Sequence, residues 1–260
     1  GYDRYRIDVI WGCAMSSIRQ VKVGKVRIGA SAPVSVQSML SVPASDIAAS
    51  VAQAKALSAA GCEIIRAAVP SRDCVPLISA LKEHCDRPIV ADIHYDYRIA
   101  LDCVTAGVDK IRINPGNIGG LEATREVIAA ASAAGIPIRI GVNAGSVEPR
   151  LLERYGGPTP EALVESALYH ASLLEQADFG DIVLSMKSSD VPSTYAAYCM
   201  AAERCSYPLH VGVTEAGTER MGALKSAAGI GGLLLRGVGD TIRVSLSGDP
   251  AREIVACKDI

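Results

Sequence analysis

Two stretches of the chain carry basic and amide side chains that alternate with apolar ones, with one glycine among the polar positions. They read D-K-I-R-I-N at 109–114 and I-R-I-G-V-N at 138–143, with isoleucine or valine between the polar residues. This period of two is typical of a β-strand, in which neighbouring side chains point to opposite faces of the sheet. Arg112 and Arg139 would then face an enclosed space, where an arginine needs an anionic partner. That partner is either a doubly charged ligand such as a diphosphate or an Asp or Glu inside the fold.

Eight strand-like segments, each followed by a helical segment, must position these side chains, and a short β-ribbon at 20–28 precedes them. The predicted strands are 34–39, 62–69, 88–94, 109–114, 138–143, 181–187, 208–215 and 241–247. The predicted helices are 45–60, 71–85, 97–106, 120–134, 160–177, 190–205, 218–235 and 249–259. Strands that alternate with helices pair in parallel, so the expected fold class is α/β and the architecture a (β/α)8 TIM barrel, for which 260 residues is a common length.

Polar residues stand late in these predicted strands, where the reaction site of such a barrel lies. The candidates are Gln37, Ser38, Arg66, Asp92, His94, Arg112, Asn114, Arg139, Asn143, Lys187, Thr214, Glu215, Arg243 and Ser245. Five of them are Arg or Lys, and the two carboxylates can pair with only part of that charge. The remainder, about three positive charges, favours an anion site over a ring of internal ion pairs. We therefore expect Arg112 and Arg139 to line the mouth of the barrel together.

Two of the candidates have side chains suited to moving a proton. Glu215, on the seventh strand, is the better acid or base, because enclosure near a substrate can bring the pKa of a carboxyl group toward neutrality. The cations around it act on the pKa in the opposite direction. His94 has three open roles, as a packed histidine, an acid or base, or a metal ligand. The four histidines of the chain show no paired spacing, so we expect no metal site.

The composition argues against several classes of function. A net charge of −2, the lack of basic runs and an aromatic content of 4% disfavour a nucleic-acid partner. No stretch of about 18 apolar residues is present, so we expect no membrane helix. The eight cysteines form no C-x-x-C pair and are expected to be buried free thiols in a reducing cytoplasm. The apolar patch within residues 1–18 is too short for a signal peptide, and a lipoprotein-like Gly12-Cys13 is the alternative interpretation.

Longer motifs resemble one protein family. The segments V-S-V-Q-S-M, A-D-I-H-Y-D-Y-R-I-A-L, R-I-N-P-G-N-I-G, P-I-R-I-G-V-N-A-G-S, P-L-H-V-G-V-T-E-A-G and G-V-G-D-T-I-R-V-S-L follow one another along the chain. Together they look like the barrel domain of the 4-hydroxy-3-methylbut-2-enyl diphosphate synthase family. The resemblance covers about residues 19–260 and makes these the substrate-binding TIM barrel. Residues 1–18 do not resemble the usual start of the family and form an atypical N-terminal extension.

This resemblance implies an oxidoreductase of the methylerythritol phosphate route to isoprenoids. It implies that 2-C-methyl-D-erythritol 2,4-cyclodiphosphate is opened and reductively dehydroxylated with electrons from a [4Fe-4S] cluster, and that flavodoxin or ferredoxin is the electron donor. Glu215 would sit near the reacting carbon and handle a proton. The substrate would lie among Arg66, Asp92, His94, Arg112, Asn114, Arg139, Asn143, Lys187, Thr214, Arg243 and Ser245, with its diphosphate beside the basic residues.

The sequence departs from the family's pattern in its cluster ligands. In the family these are three cysteines and a glutamate of a C-terminal iron-sulfur domain, which we expect to be absent here, and Cys257 alone cannot replace them. The resemblance also implies a homodimer, in which the cluster of one subunit faces the barrel mouth of the other. We expect this chain to bind substrate without turning it over by itself. Two alternatives stay open, a pterin-binding TIM barrel of the dihydropteroate synthase type and a non-catalytic diphosphate-binding module.

Overall fold

The computed structural model describes residues 17–214 and 218–260. Nearly all of the predicted extension, as well as Glu215, lies outside the described residues. Within them the strands are β1 Gln20–Val23, β2 Val26–Gly29, β3 Ser35–Met39, β4 Ile64–Ala68, β5 Ile89–Asp92, β6 Lys110–Ile113, β7 Ile138–Asn143, β8 Ile182–Lys187, β9 His210–Val211 and β10 Thr241–Ile242. The helices are α1 Ile47–Ala60, α2 Pro76–His84, α3 Tyr97–Thr105, α4 Gly120–Ala134, α5 Pro149–Tyr155, α6 Pro160–Glu175, α7 Val191–Arg204, α8 Glu219–Ser226, α9 Gly232–Leu235 and α10 Pro250–Asp259.

Local sequence signals explain where several helices begin and end. Asp46 caps α1 by accepting a hydrogen bond from the Ala49 amide, and Gly61 ends the helix in the left-handed conformation at φ 99°. The predicted cap of α6 is confirmed, because Thr159 accepts from the Ala162 amide and a proline follows it. No helix in the described parts of the chain has both the length and the apolar character needed to span a bilayer.

The parallel strands close into the predicted barrel. Strands β3 to β8 pair in sequence order, and β10 pairs with both β3 and β9. A parallel bridge between Leu184 of β8 and Leu209, just before β9, completes the ring. The (β/α)8 prediction is therefore confirmed.

Some boundaries differ from the sequence-based expectations. The predicted helix 218–235 is broken by a π-helical turn at Ala227–Gly231, and the predicted helix 71–85 starts with a 3-10 turn at Arg72–Cys74. The seventh and eighth barrel strands keep only two residues each in the ladder, and α5 was not predicted.

Two clusters of buried apolar side chains stabilise the barrel. The larger one lies between the strands and the surrounding helices and contains the outward-facing isoleucines of β6 and β7. The smaller one lies at the base, where Val21, Val23 and Ile28 of the β1–β2 hairpin pack on Ile64 and Val90 inside the barrel. The predicted ribbon is therefore confirmed, and it seals the end of the barrel opposite the site.

A tyrosine from a helix completes the seam between β8 and β9. The Tyr198 hydroxyl accepts a hydrogen bond from the Met186 amide at 3.1 Å and donates one to the His210 carbonyl at 2.5 Å. These two backbone groups belong to facing strands, so the hydroxyl bridges them where direct ladder pairing is missing. Tyr198 is fully buried, so the bridge is shielded from water.

Candidate functional site

Asp92 is the centre of an ion-pair network at the end of β5. Its carboxylate pairs with Arg66 of β4 and with Arg112 of β6, whose Nη1 lies 3.1 Å from Oδ1. His94 reaches the same carboxylate with Nε2 at 3.0 Å from Oδ2. Burial alone would raise the pKa of Asp92, but Arg66, His94 and Arg112 together hold that pKa well below its usual range. The carboxylate is therefore ionised and fixes both arginine side chains.

The strand register explains why these groups meet. Asp92 is level with Ala68 on one side and with Arg112 on the other. Because β4, β5 and β6 are consecutive parallel neighbours, inward-facing residues near their carboxyl ends converge. The hypothesis of internal ion pairs is thus correct for Arg66 and Arg112, although one carboxylate is shared between the two cations.

A cavity of about 290 Å³ opens beside this network. Residues from three different strand ends, and from the loops that follow them, line this cavity. Its lining contains the predicted site residues His94, Arg112, Asn114 and Asn143. The Asn114 Oδ1 accepts from the Gly116 amide at 3.1 Å, and the Asn143 Oδ1 accepts from the Gly145 amide at 3.1 Å. Both amide NH2 groups therefore keep donors for a ligand in the cavity.

Arg139 lies deeper than we expected. It is level with Arg112 on the neighbouring strand, as predicted, but it is only 1% exposed and does not line the mouth. Its Nη1 donates to the Ser185 hydroxyl at 3.2 Å, whereas its Nε and Nη2 have no partner among the described residues. Burial, then Arg66 and Arg112, lower the pKa of Arg139. Since a guanidinium keeps its proton in proteins, this is a buried charge that lacks a full set of partners.

Lys187 adds a second enclosed cation. It ends β8, is 7% exposed, and its pKa is lowered well below the usual value by burial and then by Arg139 and Arg243. A Cβ on Gly212 would lie 3.1 Å from its Nζ, so the amino group crosses the seam to β9. A bound anion would act on the pKa of Lys187 in the opposite direction, because it favours the charged form of the amine.

Glu253 is a site residue that sequence reasoning missed. It comes from α10, is 3% exposed, and its Oε2 lies 3.5 Å from the Arg243 Nε. It also accepts hydrogen bonds from the Ser38 hydroxyl at 2.8 Å and from the Leu246 amide at 3.2 Å. The available signal was its spacing, because Glu253 shares the buried face of α10 with Ile254 and Cys257. A carboxylate on that face needs a cation inside the barrel.

The remaining candidates fall into two groups. Thr214 and Ser245 are half-exposed after the ends of β9 and β10, at the rim of the barrel. Gln37 is fully enclosed, and its amide has no partner among the described residues. The structure thus brings most predicted residues to one end of the barrel, at two depths, and it does not describe Glu215.

The cysteines do not assemble into a metal site in the described part of the chain. No group of three or more His, Cys, Asp or Glu side chains there could hold a metal ion. Burial is the largest cause that raises the pKa of Cys62 to about 12 and that of Cys257 to about 11. These thiols are protonated at neutral pH, whereas an iron-sulfur cluster binds thiolates.

Gly141 leaves the space that Arg112 occupies. A Cβ at position 141 would lie 2.7 Å from the Arg112 Nη2 and closer still to Nε. We expect Gly141→Ala to displace this guanidinium from Asp92 and to weaken pyrophosphate binding about tenfold, or about 1.4 kcal/mol. The barrel should stay folded, because the group that yields is the end of a flexible side chain.

Calorimetric titration with pyrophosphate measures this effect. Gly231→Ala is the matched control, since its Cβ would meet no neighbouring atom closer than 3.8 Å. Equal affinity in the two variants would show that the position of the Arg112 guanidinium does not influence anion binding.

Comparison with known proteins identifies relatives over nearly the whole chain. A family model described as the GcpE TIM-barrel domain matches residues 18–258. The 4-hydroxy-3-methylbut-2-en-1-yl diphosphate synthase (flavodoxin) of Ruminiclostridium cellulolyticum is 55% identical over 242 residues, which cover 93% of this chain and 69% of the relative. The protein of the same name from Acidithiobacillus ferrooxidans is 54% identical and is covered to 66%. The chain thus spans about two thirds of the length of these relatives.

Solved structures similar to this chain include dihydropteroate synthases. That of Stenotrophomonas maltophilia has a TM-score of 0.65 at 16% identity, covering 92% of this chain and 96% of its own. That of Yersinia pestis has a TM-score of 0.61 at 16% identity, with 92% and 96% covered. At this identity the likeness shows the barrel fold alone.

Proposed function

The chain belongs to the GcpE TIM-barrel family, and we propose that it forms the substrate-binding part of a 4-hydroxy-3-methylbut-2-en-1-yl diphosphate synthase. Its ligand is 2-C-methyl-D-erythritol 2,4-cyclodiphosphate, which the enzyme opens and reductively dehydroxylates. The observation that carries this proposal is the enclosed positive charge of Arg139, whose Nε and Nη2 have no partner among the described residues. A diphosphate supplies the charge and the acceptor oxygens that this guanidinium lacks.

The cations paired with Asp92 and the more deeply buried cations have different roles in binding. Arg66 and Arg112 are held by Asp92, so their remaining donors are already oriented when the ligand arrives. Arg139 and Lys187 are more fully buried and are the cations whose charge the diphosphate neutralises. Asn114 and Asn143 in the cavity lining, with Thr214 and Ser245 at the rim, would hydrogen-bond the hydroxyl groups of the substrate. Arg243, which pairs with Glu253, completes the basic wall.

Proton transfer in this proposal involves Glu215 and His94. Glu215 is the next residue in the sequence after Thr214, which lies beyond β9 at the rim of the barrel. His94 lines the cavity, and Asp92 holds its Nε2, so its ring orientation is fixed. We assign the proton that reaches the substrate carbon to Glu215 and a supporting hydrogen bond to His94.

The electrons must come from a redox group, because protein side chains do not supply electrons at low potential. The family resemblance implies a [4Fe-4S] cluster, with flavodoxin or ferredoxin as the donor to it. The described residues do not fit such a cluster, since they contain no suitable ligand group and their buried thiols are protonated. Residues outside residues 17–214 and 218–260 would therefore have to hold it. A homodimer in the cytoplasm, with the cluster of one subunit facing the mouth of the other, is part of the same proposal.

A titration of this chain with the cyclic diphosphate and, separately, with a pterin tests the proposed function. The diphosphate is expected to bind, with an affinity that decreases as salt rises, because the contacts are between charged groups. The pterin is expected not to bind, since the likeness to dihydropteroate synthases extends to the fold alone. Binding of the pterin in preference to the diphosphate would overturn the proposal.

A further inference from the structure

Four polar side chains form a fully enclosed layer within the barrel. Gln37, Lys110 and His210 are 0% exposed, and Arg139 is 1% exposed. Each has polar atoms that lack a hydrogen-bond partner among the described residues. These atoms are both amide atoms of Gln37, the Lys110 Nζ, Nε and Nη2 of Arg139, and both ring nitrogens of His210. Such orphaned groups are rare in folded proteins, and several together indicate a missing occupant.

This inner layer lies below the mouth. Lys110 precedes Arg112 by two positions on β6, and His210 precedes Gly212 by two positions at the seam that Lys187 crosses. Because inward-facing side chains recur at every second residue of a strand, Lys110 and His210 face the interior one step further from the opening. Lys110 was on the predicted inward face of its strand but outside the set of candidates.

The inner layer carries positive charge with no carboxylate in contact among the described residues. The charged groups that act on Lys110 are Arg139 and Arg66, and those that act most strongly on His210 are Lys187, Arg139 and Lys110. The nearby carboxylates are engaged elsewhere, Asp92 with Arg66 and Arg112, and Glu253 with Arg243. Water would satisfy the hydrogen bonds of this layer but would leave its charge uncompensated.

We propose that Lys110, Arg139, His210 and Gln37 bind a small monovalent anion of the halide class beneath the diphosphate site. The ammonium, the guanidinium, one imidazole N–H and the amide NH2 group supply N–H donors from four different strands, β6, β7, β9 and β3. Arg139 is shared with the proposed diphosphate site, and its two unpartnered nitrogens, Nε and Nη2, allow one contact to each anion. The other three residues lie outside the diphosphate site, so the halide site goes beyond the proposed function.

The same layer predicts the pH dependence of halide binding. Burial, then Arg139 and Arg66, lower the pKa of Lys110 well below its usual value, so the empty layer favours the neutral amine. An anion favours the ammonium form, so binding takes up a proton. Halide affinity is therefore expected to increase as the pH falls.

Crystals of the wild-type protein soaked in sodium bromide test the site directly. The expected result is an anomalous bromine peak between Lys110, Arg139 and His210. A peak only beside Arg66 and Arg112 at the mouth, or ordered water in the inner layer at saturating bromide, would overturn the proposal.

Thermal unfolding in sodium chloride against sodium gluconate at equal ionic strength tests it in solution. Chloride is expected to raise the melting temperature saturably in the wild type and in Lys55→Met, which removes an exposed lysine on α1. The rise should be absent in Lys110→Met. Gln37→Met, a near-isosteric change, should weaken the chloride effect even if Lys110→Met does not fold.

Repeating the chloride titration at saturating cyclic diphosphate separates this inference from the proposed function. The chloride effect is expected to persist, and Lys110→Met is expected to keep its affinity for the diphosphate. If the diphosphate abolishes the chloride effect by competition, the halide occupies the diphosphate site, and the inner site is refuted while the proposed function stands. If the diphosphate does not bind but bromide occupies the inner layer, the proposed function is refuted and the halide site stands.

Discussion

Replacing Asp92 with Asn is expected to lower the free energy of unfolding near neutral pH by about 3–5 kcal/mol, the usual effect of removing one partner from a buried ion pair. Asn keeps the shape of the side chain but removes the charge that Arg66 and Arg112 share. Both guanidinium groups would then be enclosed without a counter-charge. Urea unfolding followed by circular dichroism measures the change, and Asp102→Asn is the control, because its ion pair with Arg72 lies at the surface.

The pH dependence of stability provides a second measurement on the same variant. The pKa of Asp92 is held well below its usual value in the folded protein, so this group binds protons more readily when the chain is unfolded. Its contribution to stability is therefore complete above about pH 5 and is lost as the pH falls through 4 toward the folded pKa. Asp92→Asn should lack this part of the acid-induced loss. An acid limb identical to that of the wild type would contradict the assignment of Asp92 as the central counter-ion.

Pyrophosphate is expected to restore part of the stability that Asp92→Asn loses. An anion at the mouth can pair with the arginines that the carboxylate no longer holds, and a ligand that binds only the folded state raises its stability. The ligand-induced gain should be larger in the variant than in the wild type, because Asp92→Asn also removes the negative charge that opposes the anion, whereas Gly141→Ala keeps it. Equal gains would indicate that the anion does not reach Arg66 and Arg112.

Replacing Arg139 with Met is expected to weaken binding of the cyclic diphosphate by about 2–4 kcal/mol, since the contact is fully desolvated. Met keeps much of the length of the side chain and removes the planar donor fork. The fold should survive, because the change removes a buried charge whose Nε and Nη2 lack partners among the described residues. The hydrogen bond that is lost is the one from Nη1 to the Ser185 hydroxyl. Calorimetry with the cyclic diphosphate measures the loss, and circular dichroism checks the fold.

Two outcomes would count against this role of Arg139. Unchanged affinity in Arg139→Met would remove the residue from the diphosphate site. Loss of the folded barrel would show that Arg139 is instead part of the internal framework. Arg125→Met serves as the control, because Arg125 pairs with Glu122 on the exposed face of α4 and should change neither the affinity nor the fold.

Periodicity predicted the strands well from β3 to β8, which pair in sequence order through ladders of several residues. The alternation around Arg112 and Arg139 gave the correct faces and the correct neighbours, and the structure places these residues level with each other. The alternation could not predict how deeply the side chains of Arg112 and Arg139 lie in the barrel. In a tilted barrel, depth depends on the stagger between strands, which is a property of the closed ring and not of either segment. This is why Arg112 reaches the cavity while Arg139 is enclosed.

Partners from distant elements were the other limit of sequence analysis. Charge counting indicated that the cations outnumber the carboxylates of the strands, but it overlooked Glu253, which α10 brings to Arg243 and Ser38. It also gave no indication that a tyrosine of α7 would replace ladder pairing beside β9. Such contacts join residues that are far apart in sequence, so no local pattern contains them.

The hydroxyl bridge of Tyr198 has a consequence for how the chain folds. Strands β3 to β8 are joined by neighbour-to-neighbour ladders, whereas ring closure brings Thr241 to Ser35, 206 positions away. A closure over so long a loop has a high entropic barrier and is expected to follow the local steps. Leu184 and Leu209 pair directly across the seam between β8 and β9, but Met186 and His210 meet through a phenol, so we expect this seam to be completed only once α7 is docked. The docking of α7 is then expected to be among the last folding steps, and hydrogen exchange at the Met186 amide, which donates to this phenol, would report it.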